Sequence, residues 1–312
     1  MRRVGIVSLD VDLHAHAVAK CLRERFNCSA HVFCVDQAHR ETVVTWAQGQ
    51  GLITDYNGET LDLSSIDVLW WRRANQPQSP SDLLQEEAVH AFVSAEWRFA
   101  LSGLWAACFR GVWVNDPRAE MWATGKQVQL DAAAKVGFRV PKTIISNDPD
   151  QVRNFSRSLG GRIIIKKIAG APGMQLATVP IDISQYDDDS IRLAPSVYQE
   201  LISAKAHYRV VALGDKPIFI EIISSELDWR RGISARPKVV RVDDALIDRT
   251  KRLIRNLGLK MGIADFVIDQ NGDVVFLEVN VQGQFLFLDG IGDIDTTTAC
   301  AEFLASVSEP IQ

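Results

Sequence analysis

The sequence predicts a mixed α/β protein of two or three subdomains: a βαβ-type half, a helix-rich middle with short strands, and a strand-rich end forming an antiparallel sheet with helices on one side. Three observations carry this. Strand-like and helix-like stretches alternate up to about residue 115, and strand-prone stretches crowd the chain after about residue 195. A length of 312 residues, 47% hydrophobic and 23% charged, suits a globular chain with a sizeable core. Segments 1–115, 116–194 and 195–312 follow from these changes of pattern.

In the first segment, Arg3 to Leu9 reads as a strand, Leu13 to Arg25 as a helix, and Ala30 to Val35 and Val68 to Arg72 as strands. An amphipathic helix fits Ser81 to Arg110, ends at Gly111, and is followed by the strand Val112 to Val114. His14 and His16 invite a metal reading, but residues two apart point to different faces of a helix, so a polar helix start is expected. The middle segment opens at the turn Asn115-Asp116-Pro117, after which one helix is expected from Arg118 to Val136, closed by Gly137. Short strands follow at Lys142 to Ile145, Arg162 to Ile168 and Gln175 to Val179. Between the last two, Gly170 and Gly173 make a small-residue loop of the kind that lets backbone N–H groups approach phosphate, a plain hairpin loop being the alternative. Lys166 ends an isoleucine strand just before those glycines, placed to reach phosphate as a point charge. In the last segment a strand ends in Gln199-Glu200-Leu201-Ile202, and further strands are expected at His207 to Leu213 and Ile218 to Ile223. A helix over Asp244 to Leu257, a hairpin around Asn271-Gly272 and a final helix from Ile294 to Val307 complete the chain.

Composition excludes several functions. A net charge of −5 and a pI of about 5.7 lack the footprint of a nucleic-acid binder. Asp10 and Asp12 cut the apolar run Val4 to Leu9 short of a signal peptide, and no membrane span is expected. Cys21, Cys28, Cys34, Cys108 and Cys300 form no CxxC, and their odd number suits free thiols in a reducing cytoplasm.

The chemistry concentrates in "ADFVIDQNGDVVFLEVN", Ala264 to Asn280. A two-residue type I′ turn at Asn271-Gly272 would pair 270 with 273, and so 265 with 278. Asp265 and Glu278 would then oppose each other at about 5 Å, repelling by about 3 kcal/mol at an effective dielectric of about 20. A four-residue loop at 269–272 would instead set 265 opposite 276. Protonation of one carboxyl or a cation between them relieves the repulsion, and Asn280 shares their face by strand alternation. Two carboxylates and an amide oxygen make a hard-oxygen site that Mg²⁺ accepts, with a solvated polar face as the alternative.

Lys126 in a helix after "NDP", Lys166 before a glycine loop, "QELI", Arg209, Asp265 and "LEVN" occur in an order that resembles the ATP-grasp enzymes. Within that superfamily, "VLWWRR" at 68–73, "DWR" at 228–230 and "LEVNVQGQF" at 277–285 resemble the microviridin-type maturases, also called graspetide or ω-ester peptide ligases, over nearly the whole chain. The resemblance implies an ATP-grasp fold with an N-terminal, peptide-binding pre-ATP-grasp domain, a central α+β lid subdomain and a C-terminal antiparallel sheet. It implies that Lys126 and Lys166 clamp ATP phosphates under the loop of Gly170 and Gly173, and that Gln199, Glu200, Leu201 and Ile202 form the adenine-reading hinge. Arg209 would face the γ-phosphate, and Asp265, Glu278 and Asn280 would hold Mg²⁺. The implied activity phosphorylates a Glu or Asp side chain of a precursor peptide, after which a Ser or Thr hydroxyl or a Lys amine displaces phosphate and closes a ring.

Phosphoryl transfer of this kind asks the protein for positioning and charge rather than covalent chemistry. Arg230, oriented by Asp228, and the pair Arg72-Arg73 are candidates for gripping the acceptor carboxylate, since guanidinium binds carboxylate in a fork; for Arg72-Arg73 a strand-end ion pair is the alternative. Two departures stand out: His207 where relatives carry an acidic residue, which puts the implied ribose contact in doubt, and Val281 where proline commonly follows the asparagine. Rival readings are a ligase joining free amino acids or adding glutamate to a protein tail, and a nucleotide-binding adaptor without turnover. Expected partners are a precursor peptide with a leader segment and, for a homodimer, a second copy. Trp70, Trp71, Trp97, Trp105 and Trp122 could line a leader groove, although aromatics at helical spacing are more often core.

Overall fold

The protein is described from a computed structural model covering residues 1–37, 42–74, 86–168, 178–227, 229, 237–290 and 294–308. The N-terminal segment begins β1 (Arg2–Ser8), α1 (Leu13–Arg25), β2 (Cys28–Cys34). A hairpin sheet follows, β3 (Val44–Ala47), β4 (Gln50–Thr54) and β5 (Thr60–Asp62), then β6 (Val68–Trp71), α2 (Glu87–Cys108) and β7 (Val112–Val114). The main sheet is parallel in the order β2-β1-β6-β7. Asp12 caps α1 by accepting from the His14 N–H. The small β3-β4-β5 sheet was not expected from sequence. Its signal lies in Gln48 and Gly49, both at positive φ in a two-residue turn. Gly51 lets β4 lie on α2, since a Cβ there would stand 2.7 Å from Cys108 Sγ.

The middle segment contains α3 (Pro117–Ala123), α4 (Lys126–Lys135), β8 (Thr143–Ser146), α5 (Pro149–Ser158), β9 (Ile163–Lys166), β10 (Val179–Ile181), α6 (Asp188–Arg192) and β11 (Ser196–Glu200). Its antiparallel sheet runs β10-β9-β11-β8 over a core of Val152, Ile163, Ile183, Ile191 and Tyr198. Two expectations change here. The single helix from Arg118 to Val136 is broken at Thr124-Gly125, where Gly125 takes φ −62°, ψ 120° and becomes the N-cap of α4. Of the strand expected over Gln175 to Val179, 175–177 lie outside the described residues, Thr178 is not in a strand, and β10 runs from Val179 to Ile181.

The last segment holds β12 (Ala204–Leu213), β13 (Lys216–Ile222), β14 (Lys238–Val239), α7 (Asp244–Asn256), β15 (Met261–Asp269), β16 (Val274–Asn280) and α8 (Thr296–Ser306). The five-stranded antiparallel sheet is ordered β14-β13-β12-β15-β16. Leu246, Leu253 and Ile254 of α7 pack on one face against Val210, Phe266 and Phe276. On the other face Val211, Leu213, Met261 and Ile263 join a core shared with α8 and the first sheet. No described helix is long and apolar enough to cross a membrane.

The β15-β16 hairpin corrects the expected turn and keeps the expected pair. Asp269 N–H donates to Asp273 O, Gly272 N–H to Asp269 O, and only Gly272 of the turn has positive φ, at 89°. The loop is therefore one residue longer than a type I′ turn, and Ile268 pairs with Val274. A bulge between Asp265 and Phe266 on one strand, opposite Phe276 and Glu278 on the other, restores the register, so Asp265 does oppose Glu278.

Candidate active site

Asp265 is the middle of a charged row across the last sheet, with Arg209 of β12 on one side and Glu278 of β16 on the other. Arg209 Nη1 donates to both Asp265 oxygens at 2.8 and 3.0 Å, and its Nη2 to Gln284 O at 2.6 Å. Lys126 Nζ reaches Glu278 Oε2 at 2.5 Å. Repulsion between the facing carboxylates is thus relieved by side-chain cations at both ends of the row, a third solution that the sequence did not disclose. Asn280 stands between the carboxylates, its Nδ2 donating to Asp265 Oδ2 and Glu278 Oε1 at 3.3 Å each.

Local structure explains each placement. The break at Gly125 makes Lys126 the first residue of α4, and Gln129 one turn on pins the helix to β16. Gln129 donates to Val279 O at 2.8 Å and accepts from Val279 N–H at 3.0 Å, which sets Lys126 beside Glu278. The bulge turns both Leu277 and Glu278 toward the same cavity. On the facing sheet, Lys166 Nζ donates to Gln199 Oε1 at 2.7 Å, and Gln199 Nε2 donates to Thr143 Oγ1 at 2.9 Å.

Burial disfavours the charged form of Glu278, but Lys126, Lys166 and Asn280 outweigh it and hold the carboxyl at about 2. Burial lowers the Lys166 ammonium from its ordinary range, Glu278 counteracting and Lys126 adding to the effect. Glu120 shows the opposite behaviour among carboxyls: burial pushes it up to about 8 against the pull of Gln282, Asn115 and Arg72.

Two cavities meet here. One of ≈ 260 Å³ lies between the middle and last sheets, lined by Lys126, Lys166, Gln199, Glu200, Ile202, His207, Asp265, Leu277, Glu278 and Asn280. A larger cleft of ≈ 970 Å³ is lined by Arg73, Glu120, Lys126, Arg209, Asn280, Gln282 and neighbours, so Lys126 and Asn280 belong to both. At the rim of the smaller one, Glu200 N–H donates to Lys142 O and Leu201 N–H to Arg162 O, while among the described residues nothing accepts from the Ile202 N–H. His207 is buried, and its Nε2 hydrogen-bonds Glu226 O at 3.0 Å, which fixes that nitrogen as the donor.

Several expected residues are placed differently. Arg72 is 1% exposed, donates to Asp12 Oδ2 at 2.6 Å and lies over Trp70, so it is a buried ion pair rather than an open receptor for carboxylate. Arg73 does face the cleft. Trp70, Trp71 and Trp105 are core, which removes them from any groove, Trp97 is half-buried against the core of Trp71 and Trp105, and Trp122 is 65% exposed. His14 stands at the start of α1 as expected, and it is buried there. Its Nε2 accepts from the Phe285 and Leu286 N–H groups at 3.0 and 3.1 Å, so the proton sits on Nδ1, facing Asp12. Gly170, Gly173, Asp228 and Arg230 lie outside the described residues. Sequence reading missed Glu120, Gln129 and Gln282, whose roles arise from contacts across more than a hundred residues for which no local pattern exists.

A parallel βαβ-type sheet, a small antiparallel α+β sheet and a larger antiparallel sheet enclosing a lysine- and carboxylate-lined cavity define the ATP-grasp fold, and the chain has that fold. Among solved structures it is similar to the macrocyclase MdnC of Microcystis aeruginosa MRC bound with precursor peptide MdnA, at 23% identity and a TM-score of 0.87, covering 98% of this chain and 100% of that one. A Chryseobacterium gregarium RiPP-associated ATP-grasp ligase in complex with ADP and a leader and core peptide superposes with a TM-score of 0.86 at 20% identity, over 97% of this chain and 96% of that one. In sequence, the chain is 24% identical over 183 residues to the alpha-aminoadipate–LysW ligase LysX of Sulfurisphaera tokodaii, a match covering 52% of this chain and 61% of that ligase. No family model matches the chain.

Proposed function

We propose that this chain is an ATP-dependent, ADP-forming ligase that closes rings in a ribosomally made precursor peptide. The observation that carries the reading is the meeting of a nucleotide-sized cavity and a larger cleft at one cluster of Lys126, Asp265, Glu278 and Asn280. One chamber takes ATP and the other the peptide, so the γ-phosphate and a peptide carboxylate come together at the shared wall. Likeness in fold to peptide-bound macrocyclases supports a peptide in the cleft.

The residues present fit Mg²⁺: two carboxylates, one already held ionised, and an amide that turns its oxygen inward by a half-rotation. When bound, the metal neutralises charge on the phosphates. Lys126 and Lys166 take phosphate oxygens, Lys126 giving up Glu278 in exchange. The backbone of Gln199 to Ile202 reads adenine. Arg209, held by Asp265, presents its guanidinium at the junction of the cavities, where charge develops during transfer. Arg73, which lines the cleft, grips the substrate carboxylate.

Segment 1–115 is assigned to peptide binding, 116–194 to the lid and 195–312 to metal and nucleotide. An exposed apolar strip of Trp46, Phe92 and Phe99, 60–68% accessible, supports leader docking on α2 and β3. Light scattering separates that role from a homodimer face, which would bury the strip without peptide. Five buried free thiols suit a reducing cytoplasm.

The test is incubation with ATP, Mg²⁺ and a short Thr- and Glu- or Asp-rich peptide sought among the genes neighbouring this one. Mass spectrometry should show loss of one water per ring with ADP released. ADP release only with a free amino acid or a carrier protein would favour the second reading, a ligase acting on those substrates, for which the partial match to LysX speaks. Nucleotide binding with no turnover on any acceptor would leave a nucleotide-binding adaptor.

A further inference from the structure

The peptide cleft carries a problem that phosphate chemistry leaves open: a Ser or Thr hydroxyl must lose its proton as it attacks. Among the described residues lining the ≈ 970 Å³ cleft, Glu120 is the one carboxylic acid. The Arg73, Lys126 and Arg209 side chains offer hydrogen-bond donors only, and the lining amides and the Thr124 hydroxyl take no proton near neutral pH. Glu120 is 5% exposed, and no described lysine or arginine forms an ion pair with it. Its two oxygens are distinguishable. Asn115 Oδ1 accepts from the Lys260 and Met261 N–H groups, so its Nδ2 must point away from them, donating to Met261 O and, at 3.4 Å, to Glu120 Oε1. Oε1 is therefore held as an acceptor by a rigid amide. Oε2 meets Gln282 Nε2 at 2.9 Å, and Gln282 lines the cleft and can turn its amide to face either O⁻ or O–H.

We propose that Glu120 is the general base of ring closure, taking the nucleophile's proton on Oε2 while Gln282 accommodates both protonation states. This rests on the peptide-ligase reading above. In the step, the hydroxyl oxygen, or the nitrogen of a neutral amine, bonds to the acyl carbon, and its proton passes to the Glu120 carboxylate. The bond from the acyl carbon to the phosphate oxygen breaks, its electron pair leaving on phosphate, and Glu120 returns the proton to water. Burial, outweighing the two amide donors and the Arg72 charge, raises the proton affinity of the carboxyl toward the working pH, where a base is most effective.

The experiment compares wild type and Glu120→Gln with ATP, Mg²⁺ and a short Thr- and Glu- or Asp-rich peptide, with and without hydroxylamine. Hydroxylamine traps the acyl phosphate as a hydroxamate without needing a base, so hydroxamate reports activation and ring mass reports closure. Glu120→Gln should form hydroxamate within about threefold of wild type and close rings about 100-fold or more slowly, the span expected of a general base. Ring closure within about threefold of wild type overturns the assignment, as does an equal loss of hydroxamate and rings, which would mark a structural role. If wild type yields neither product, the ligase reading itself fails, and the assignment with it.

Discussion

Glu278 and Glu120 line adjoining cavities and respond oppositely to pH, and the cause is their neighbours. For Glu278 the folded value, about 2, is below the ordinary 4.5, so its contribution to stability is complete above pH 4.5 and is lost as pH falls toward 2. Glu278→Gln should abolish ATP turnover, lower the melting temperature at pH 7, and lose that stability difference from wild type below pH 4.5. Glu120 has its folded value raised to about 8, so the folded state keeps a proton that the unfolded chain gives up, and stability declines as pH rises from 4.5 to 8. Glu120→Gln removes that decline. Thermal melts at pH 5 and pH 9 should show the variant gaining on wild type at the higher pH, and parallel melts would refute the assignment. Lys166 is a third case, an ammonium whose burial lowers its pKa. Lys166→Met should weaken binding of a non-hydrolysable ATP analogue by more than about tenfold, about 1.4 kcal/mol. Because the desolvated charge disappears with it, the apo protein should melt no earlier, and calorimetry with a melt checks both halves.

At the scale of elements, the β15-β16 hairpin and the break between α3 and α4 set the site's geometry. Gly272 sits at φ 89°, and a Cβ added there would meet nothing within 4 Å, so Gly272→Ala carries backbone strain and no clash. It should cost about 1 kcal/mol in urea denaturation and leave the KM for ATP unchanged, the register being held by the bulge. A shifted KM would mean that the turn, rather than the bulge, aligns Asp265 with Glu278. Much of this was legible in sequence: alternation located β12, β13, β15 and β16, and Asn271-Gly272 located the turn. The facing carboxylates were read correctly through two errors that cancel, a loop one residue too short and an unforeseen bulge. Bulges have no one-strand signature, because they depend on the partner strand's register. The helix break escaped because Gly125 is a single glycine in an otherwise helical run, and its effect depends on Gln129 docking on β16. For Arg72 and the tryptophans the sequence left two readings open, because burial is a property of the assembled fold, whereas Lys126 and Lys166 stood out as lone cations on apolar or helical stretches.

For the whole molecule, the smaller cavity is walled by different sheets: Lys166 and Gln199 come from the middle one, Asp265 and Glu278 from the last. The Lys126–Glu278 pair links α4 directly to this row, each side chain more than a fifth exposed, and a pair of that kind contributes at most about 1 kcal/mol. A nucleotide held on both walls adds a connection the apo protein lacks, and its binding energy becomes folding energy. At a concentration about 100 times its Kd, a non-hydrolysable ATP analogue with Mg²⁺ should stabilise the fold by about 2.7 kcal/mol. Chelation by EDTA should remove most of that gain, because Asp265, Glu278 and the phosphates then face one another without the metal. Asp265→Asn separates metal from mere charge: it removes one ligand, and Arg209 also loses its partner, yet the guanidinium can still attract phosphate. If Asp265 holds the metal, the variant's melt with analogue should be nearly the same with Mg²⁺ and with EDTA. A full Mg²⁺-dependent shift in Asp265→Asn would place the metal elsewhere, and the charged row would then be an ion-pair network that positions Arg209 alone.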